Sequence, residues 1–225
     1  MTYEHILFDL DNTLYPGTSG IMQMFDMRIA EYVRNFLQLE EATARATQHT
    51  YYTRYGTTLR GLQNDYPEQV DVEAYLQYVH ELDMDAFLTL DQELDRQLGQ
   101  IRAHKAIFTN SPIEHAQRVL QALGIERHFK HIFDIRFHAF EPKPSIAAYH
   151  GVLEALDARG DQMIFVEDSP KNLVPARTLG MTTILISEQS STTDRLHADY
   201  VVPDIFAALQ IVRELEGTQP AANPS

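Results

Sequence analysis

Cysteine is absent from all 225 residues, so the chain has no disulfide framework, no thiolate metal ligand and no thiol nucleophile. Basic residues are scarce: Lys and Arg number 18 against 32 Asp and Glu, a formal net charge of -14. That balance argues against a nucleic-acid polymer or an anionic membrane surface as partner. A small anionic substrate is compatible with it only where a metal ion or a well-placed lysine supplies local positive charge. No apolar run approaches membrane-spanning length, and the first five residues, Met1 to His5, carry neither a basic region nor an apolar segment; a cytoplasmic protein is expected. Also missing are a Gly-x-x-x-x-Gly-Lys-Ser/Thr loop, a Gly-x-Ser-x-Gly elbow and a His-Glu-x-x-His pair, which leaves NTP-driven, serine-elbow and zinc-helix chemistries without support. There is no internal repeat.

What is present begins with Phe8-Asp9-Leu10-Asp11-Asn12-Thr13-Leu14-Tyr15. His5 to Phe8 reads as a short buried strand, and two carboxylates two residues apart follow it. Side chains two apart on a strand point the same way, so Asp9 and Asp11 are expected to emerge together where open parallel sheets place their ligand crevice. Such a pair raises one carboxyl pKa or demands a cation, and both outcomes serve catalysis.

Pro16, Gly17 and Gly20 mark a turn, after which Met22, Phe25, Ile29, Tyr32, Val33 and Phe36 recur at helical spacing. Helical patterning continues from Glu40 to Tyr55 and from Val72 to about His80, so residues 16–90 are expected to form an all-helical insertion. Strand character returns at Lys105 to Thr109, Ile132 to Phe137, Met163 to Glu167 and Thr182 to Ile186, with helices between them. One helix closes at Gly124; another opens at Pro170 and closes at Gly180. The alternation predicts an α/β fold with a doubly wound, Rossmann-like parallel sheet built from residues 1–15 and 91–216, and a disordered tail over 217–225.

Residues just after the strands should converge on the Asp pair. Thr109, Asn110 and Ser111 offer hydroxyls and an amide to phosphate oxygens, although Thr-Asn-Ser before a proline is an equally good turn and helix cap. Lys143 stands between Pro142 and Pro144, which restrict how it is presented. Glu167, Asp168 and Ser169 end an apolar strand in a second acidic cluster. Asp9, Asp11, Glu167 and Asp168 are the candidate ligands for a hard cation, with Mg²⁺ expected, and Asn172, one turn on, is placed to orient Asp168 or Lys143. The histidines form no recognisable metal pattern.

Taken in order, Asp9-Leu-Asp11-Asn-Thr-Leu, Thr109-Asn110-Ser111, Lys143 and Glu167-Asp168-Ser169 resemble the four motifs of the haloacid dehalogenase superfamily, and the resemblance spans nearly the whole chain. The helical insertion resembles the C1 cap of subfamily IA phosphatases, which closes over substrate and excludes water. Asp-Asn-Thr-Leu-Tyr-Pro with Ser19-Gly20-Ile21, the stretch Tyr55-Gly56-Thr57-Thr58-Leu59-Arg60-Gly61-Leu62, and Ala198-Asp199-Tyr200-Val201 are similar to the pyrimidine 5′-nucleotidases.

The resemblance implies hydrolysis of UMP- or CMP-like monophosphates, with broad sugar-phosphate or phosphoglycolate phosphatase activity as the alternative. It makes Asp9 the nucleophile, Asp11 the proton donor and acceptor, and Thr109, Asn110 and Lys143 the holders of the transferring group. Ser111, Tyr55, Thr58, Arg60 and Asn172 are candidate substrate-side residues. A dehalogenase needs no acid for its halide, so Asp11 argues against one; a phosphomutase is separated by product analysis, and a non-catalytic binding protein is disfavoured because every motif position holds a competent residue. A monomer or homodimer is expected.

Overall fold

A computed structural model describes residues 3–187 and 198–217. Six strands form one sheet: β1 (His5–Phe8), β2 (His104–Phe108), β3 (Phe129–Phe133), β4 (Met163–Glu167), β5 (Thr182–Ile186) and β6 (Tyr200–Val202). Their order is β3-β2-β1-β4-β5-β6 and every pairing is parallel. The chain therefore winds outward from β1 in one direction through β2 and β3, then returns to its other side with β4. That reversal beside β1 is where such sheets open a crevice at the strands' carboxyl ends.

Alternation along the strands explains why both faces are covered. Ile6, Phe8, Ile107, Ile164, Val166 and Ile184 join one apolar cluster, whereas Leu7, Phe108, Phe165 and Leu185 join another. The first cluster takes α6 (Ile113–Leu123) and α9 (Ile205–Gly217); the second takes α7 (Ile146–Ala155) and α8 (Pro170–Thr178). Ile6, Leu7 and Phe8 are fully buried, each contributing about 1.5–3 kcal/mol of apolar transfer.

Between β1 and β2 the described structure is helical: α1 (Ile21–Leu37), α2 (Glu41–Tyr55), α3 (Thr58–Asp65), α4 (Val72–His80) and α5 (Gln92–Leu98), with single 3₁₀ turns at Gly17–Ser19 and Met84–Ala86. The helical character expected of residues 16–90 is present, and α5 extends it to Leu98 while packing on α9. No helix among the described residues is long and apolar enough to cross a membrane.

One expected strand differs from the structure. The third strand was expected over Ile132 to Phe137 but runs Phe129–Phe133. Asp134 turns the chain out of the sheet: its carboxylate accepts the N–H of Ile113 at 3.0 Å and that of Phe137 at 2.9 Å, so Ile135 and Phe137 pack from a turn instead of a strand. Tyr200–Val202 proves to be the edge strand β6, anchored where Asp199 accepts the N–H and the hydroxyl of Thr183 at 2.8 Å each. Of the expected tail, Gly217 is the last residue of α9 and the rest lies outside the described residues.

Candidate active site

Asp9 follows β1 directly, and its N–H still donates to Val166 O at 2.9 Å, so the ladder to β4 holds the residue in place. The chain then leaves the sheet. Thr13 and Leu14 donate back to Leu10 O, and Asn12 adopts φ 61, so Asp11 sits in a turn and not on the strand. The two carboxylates consequently meet different partners. Asp9 accepts the Lys143 ammonium at Oδ1 (2.7 Å) and the Thr13 hydroxyl at Oδ2 (3.1 Å). Asp11 accepts Tyr15 OH (2.5 Å) and His115 Nε2 (2.7 Å) at Oδ1, and Ser111 Oγ (2.7 Å) at Oδ2.

Lys143 is 1 % exposed, which for a lysine demands full satisfaction of its charge. Its Nζ donates to Asp9, to Glu167 Oε2 at 2.8 Å and to Phe108 O at 2.7 Å, and it lies 5.0 Å from the centroid of the Phe108 ring. Burial works against the charge, but Asp9 and Glu167 outweigh it and hold the ammonium above the ordinary lysine value. Glu167 in turn spends every lone-pair direction: Oε1 accepts the N–H groups of Asp168 and Ser169, and Oε2 accepts Lys143 and Asn172 Nδ2. It is therefore built as the inner support of Lys143.

Asn110 has a similar task. Lys143 N–H donates to its Oδ1 at 2.7 Å, and its Nδ2 donates to Lys143 O at 3.1 Å. The amide expected to meet phosphate is thus committed to the backbone of the lysine loop. Thr109 is 1 % exposed and lines the cavity, its Oγ1 accepting Ser111 N–H at 3.0 Å.

Carboxylate oxygens of Asp9, Glu167 and Asp168 lie within 4.8 Å of one another. Three acids facing one ammonium leave an uncompensated negative charge. Burial first, then the neighbouring Glu167, raise the Asp9 carboxyl to about 7, and burial with the charge of Asp9 raises that of Asp168. Asn12 donates to Asp168 at 3.3 Å, while its own Oδ1 is buried without a partner. Hard oxygens, excess negative charge and an orphaned carbonyl suit a hard divalent cation. Asp11, expected among the ligands, is not part of this cluster, because the turn after Asp9 aims its carboxylate at α6. Burial opposes its ionisation, but the donors His115, Tyr15 and Ser111 prevail and hold the carboxyl well below the usual range.

These groups form the floor of a cavity of about 740 Å³ between the sheet's carboxyl end and the helical segment. Phe25, Gln48, Tyr52, Thr58 and Tyr75 line it from the helical side, and Lys171 from α8 donates to Tyr52 OH at 3.0 Å, joining its two walls. Of the expected helical-segment contacts, Thr58 lines the cavity, its hydroxyl 3.4 Å from Gln48 O, but Tyr55 and Arg60 do not. Tyr55 packs beside Tyr51, and Arg60 forms an ion pair with Glu141, two residues before Lys143. Next to them Gly56, at φ 86, lies against the carbonyl of Lys143, where an added Cβ would sit 3.5 Å away.

A sequence profile of the haloacid dehalogenase-like hydrolases matches residues 3–180. The chain belongs to that family. It is 24 % identical over 194 residues to phosphate metabolism protein 8 of Saccharomyces cerevisiae, covering 79 % of this chain and 60 % of that protein. The chain thus spans less than two thirds of the yeast protein's length. It is 22 % identical over 218 residues to putative pyrophosphatase PpaX of Caldanaerobacter subterraneus, covering 92 % and 94 %. Its fold matches a HAD phosphatase from Thermococcus onnurineus with a TM-score of 0.64 at 17 % identity, over 94 % of this chain and 98 % of that one.

The sequence reading passed over His115 and Tyr15. His115 had a visible signal: it falls on the buried face of α6 beside Ala116 and Val119, four residues after Ser111, where a histidine needs a partner.

Proposed function

We propose that this hydrolase is a phosphomonoesterase that works through an aspartyl phosphate on Asp9. The observation that carries the reading is the clamp on Asp9: Lys143 on one oxygen and Thr13 on the other fix a buried carboxylate at the cavity floor beside Thr109. The names of the yeast and Caldanaerobacter relatives, which speak of phosphate metabolism and pyrophosphatase, point to the same chemistry.

In the first step Asp9 attacks phosphorus and the phosphorus–oxygen bond to the alcohol breaks; Asp11, ionised before substrate binds, takes up a proton as the negative phosphate enters beside it and passes that proton to the leaving oxygen. In the second, Asp11 takes a proton from water as that water attacks phosphorus; the acyl-phosphate bond breaks, and phosphate and Asp9 are released. Lys143 and the Thr109 hydroxyl stabilise the transferring group's oxygens throughout. Asp9 and Asp168 are the residues that would hold Mg²⁺, with Glu167 behind them. The ion would screen the repulsion between Asp9 and the phosphate dianion.

For the substrate we favour a pyrimidine nucleoside monophosphate. The cavity has the size of sites for such ligands, and Phe25, Gln48, Tyr52 and Tyr75 are among the residues that line it. Residues 16–90 act as the cap in this reading, shielding the acyl phosphate from bulk water.

The test is release of inorganic phosphate with Mg²⁺ and with EDTA, across UMP, CMP, dUMP, AMP, phosphoglycolate and glucose phosphates, with Asp9→Asn alongside. Metal-dependent release that favours UMP and CMP and vanishes in Asp9→Asn is expected. Release spread evenly over the panel removes the nucleotide preference, and wild-type turnover by Asp9→Asn removes the mechanism.

A further inference from the structure

We infer that His115 is a positioning residue for proton transfer: it fixes the plane of the Asp11 carboxylate from within α6. The inference rests on the reading of Asp11 as acid and base.

His115 is fully buried on a helix face otherwise made of Ala116, Val119, Leu120 and Leu123. Burying an imidazole among aliphatic side chains is costly unless its nitrogens are paired. Only one of them is: Nε2 lies 2.7 Å from Asp11 Oδ1, whereas Nδ1 has no partner. The ring's edges and faces are taken by Phe25 of α1, at 4.9 Å between centroids and 73° between planes, and by His80 of α4, at 5.5 Å and 47°. The ring cannot turn without losing both packing and its single hydrogen bond.

The start of α6 supplies the second point of support. Ser111 stands just before the Pro112 cap of α6 and His115 in the helix's first turn, and both side chains reach Asp11. Ser111 takes Asp11 Oδ2 and His115 takes Oδ1, and two donors on the two oxygens fix rotation about the Cβ–Cγ bond. Tyr15 adds a third donor, but from the same turn as Asp11, four residues on, so it moves with it. Ser111 and His115 come from a distant stretch of chain and tie the turn to the start of α6. Because Phe25 and His80 belong to the helical segment, the imidazole is also where that segment bears on the carboxylate.

A ring that only fills the core and a ring that aims a proton donor predict different kinetics. The value of kcat/KM reports the steps up to departure of the alcohol, and only a poor leaving group needs its proton delivered there. The experiment compares an alkyl phosphate with p-nitrophenyl phosphate for wild type, His115→Phe, His115→Gln and Asp11→Asn, all with Mg²⁺. His115→Phe keeps the ring packing and loses the donor; His115→Gln keeps a donor at nearly the same reach.

We expect His115→Phe to lower kcat/KM about 10²-fold for the alkyl ester and less than about 3-fold for the aryl ester, with His115→Gln recovering most of the loss. An equal loss on both esters, or none, overturns the proposal while leaving Asp11 as acid if Asp11→Asn shows the leaving-group split. If Asp11→Asn shows no split, or wild type cleaves neither ester, the reading of Asp11 falls and this inference with it. A further readout needs no turnover: in the metal-free protein the His115 ring N–H should give a slowly exchanging ¹⁵N-bound proton signal that disappears in Asp11→Ala. Its absence from wild type also overturns the proposal.

Discussion

Asn110 clasps Lys143 from both sides of its backbone, accepting its N–H at 2.7 Å and donating to its carbonyl at 3.1 Å. The lysine loop carries no regular secondary structure between β3 and α7, so this amide does the work a strand neighbour would do. Asn110→Ala should lower kcat about 10²-fold with KM little changed, since small misplacement of a charge-stabilising group costs that much. Steady-state kinetics and backbone hydrogen exchange at Lys143 check it; a KM effect with unchanged kcat would place Asn110 on the substrate.

Lys143→Met should be far more disruptive to folding than its single charge suggests. It leaves Asp9 and Glu167 buried without their shared ammonium, and breaking a buried pair from one side costs about 3–5 kcal/mol. Urea unfolding of the metal-free protein measures it, and a shift under about 1 kcal/mol would show that the acids were neutral or hydrated in the fold.

Asp9→Asn should do the reverse. The Asp9 carboxyl rises from 3.8 to about 7 because burial and Glu167 disfavour its charge, so the native state holds its proton more tightly than the unfolded chain does. Native stability is therefore lost as pH rises from 3.8 through about 7, and the asparagine variant escapes that loss. In EDTA, Asp9→Asn should unfold at a higher temperature than wild type, by a margin that is larger at pH 8 than at pH 5. Added Mg²⁺ should stabilise wild type more than the variant. A margin that shrinks with pH would refute the assignment.

The Arg60–Glu141 pair ties α3 to the loop that presents Lys143, with its two side chains 31 % and 42 % exposed. At that exposure the pair is worth about 0–1 kcal/mol to the fold. Arg60→Ala and Glu141→Ala should change kcat/KM alike across the substrate panel, and the double variant should be no worse than either. A loss confined to Arg60→Ala, or one that depends on the base, would return Arg60 to the substrate side.

Much of this site is legible in the sequence, for a topological reason. Parallel strands put their carboxyl ends on one edge, so Asp9, Thr109 and Asp168 are brought together by short apolar runs that a reader can find. The aim of Asp11 is not legible, because it follows from the turn at Asn12 and the docking of α6, neither of which period-two reasoning contains. Thr58, Tyr55 and Arg60 were grouped by the resemblance of their stretch to a family motif, and the structure separates cavity wall from ring packing and ion pair. The third strand was misread because Ile135 and Phe137 are apolar for reasons of packing in a turn, which Asp134 organises.

The strand order has a consequence for how the protein is made. Asp9 and Lys143 are 134 positions apart, and Glu167 and Asp168 come later still, on a strand that must insert beside β1. A chain growing from its amino end displays an unneutralised Asp9 for most of its synthesis, and nothing that could hold phosphate against it. The centre comes into being only when β4 takes its place, so turnover doubles as a reporter that the last neighbour of the central strand has arrived.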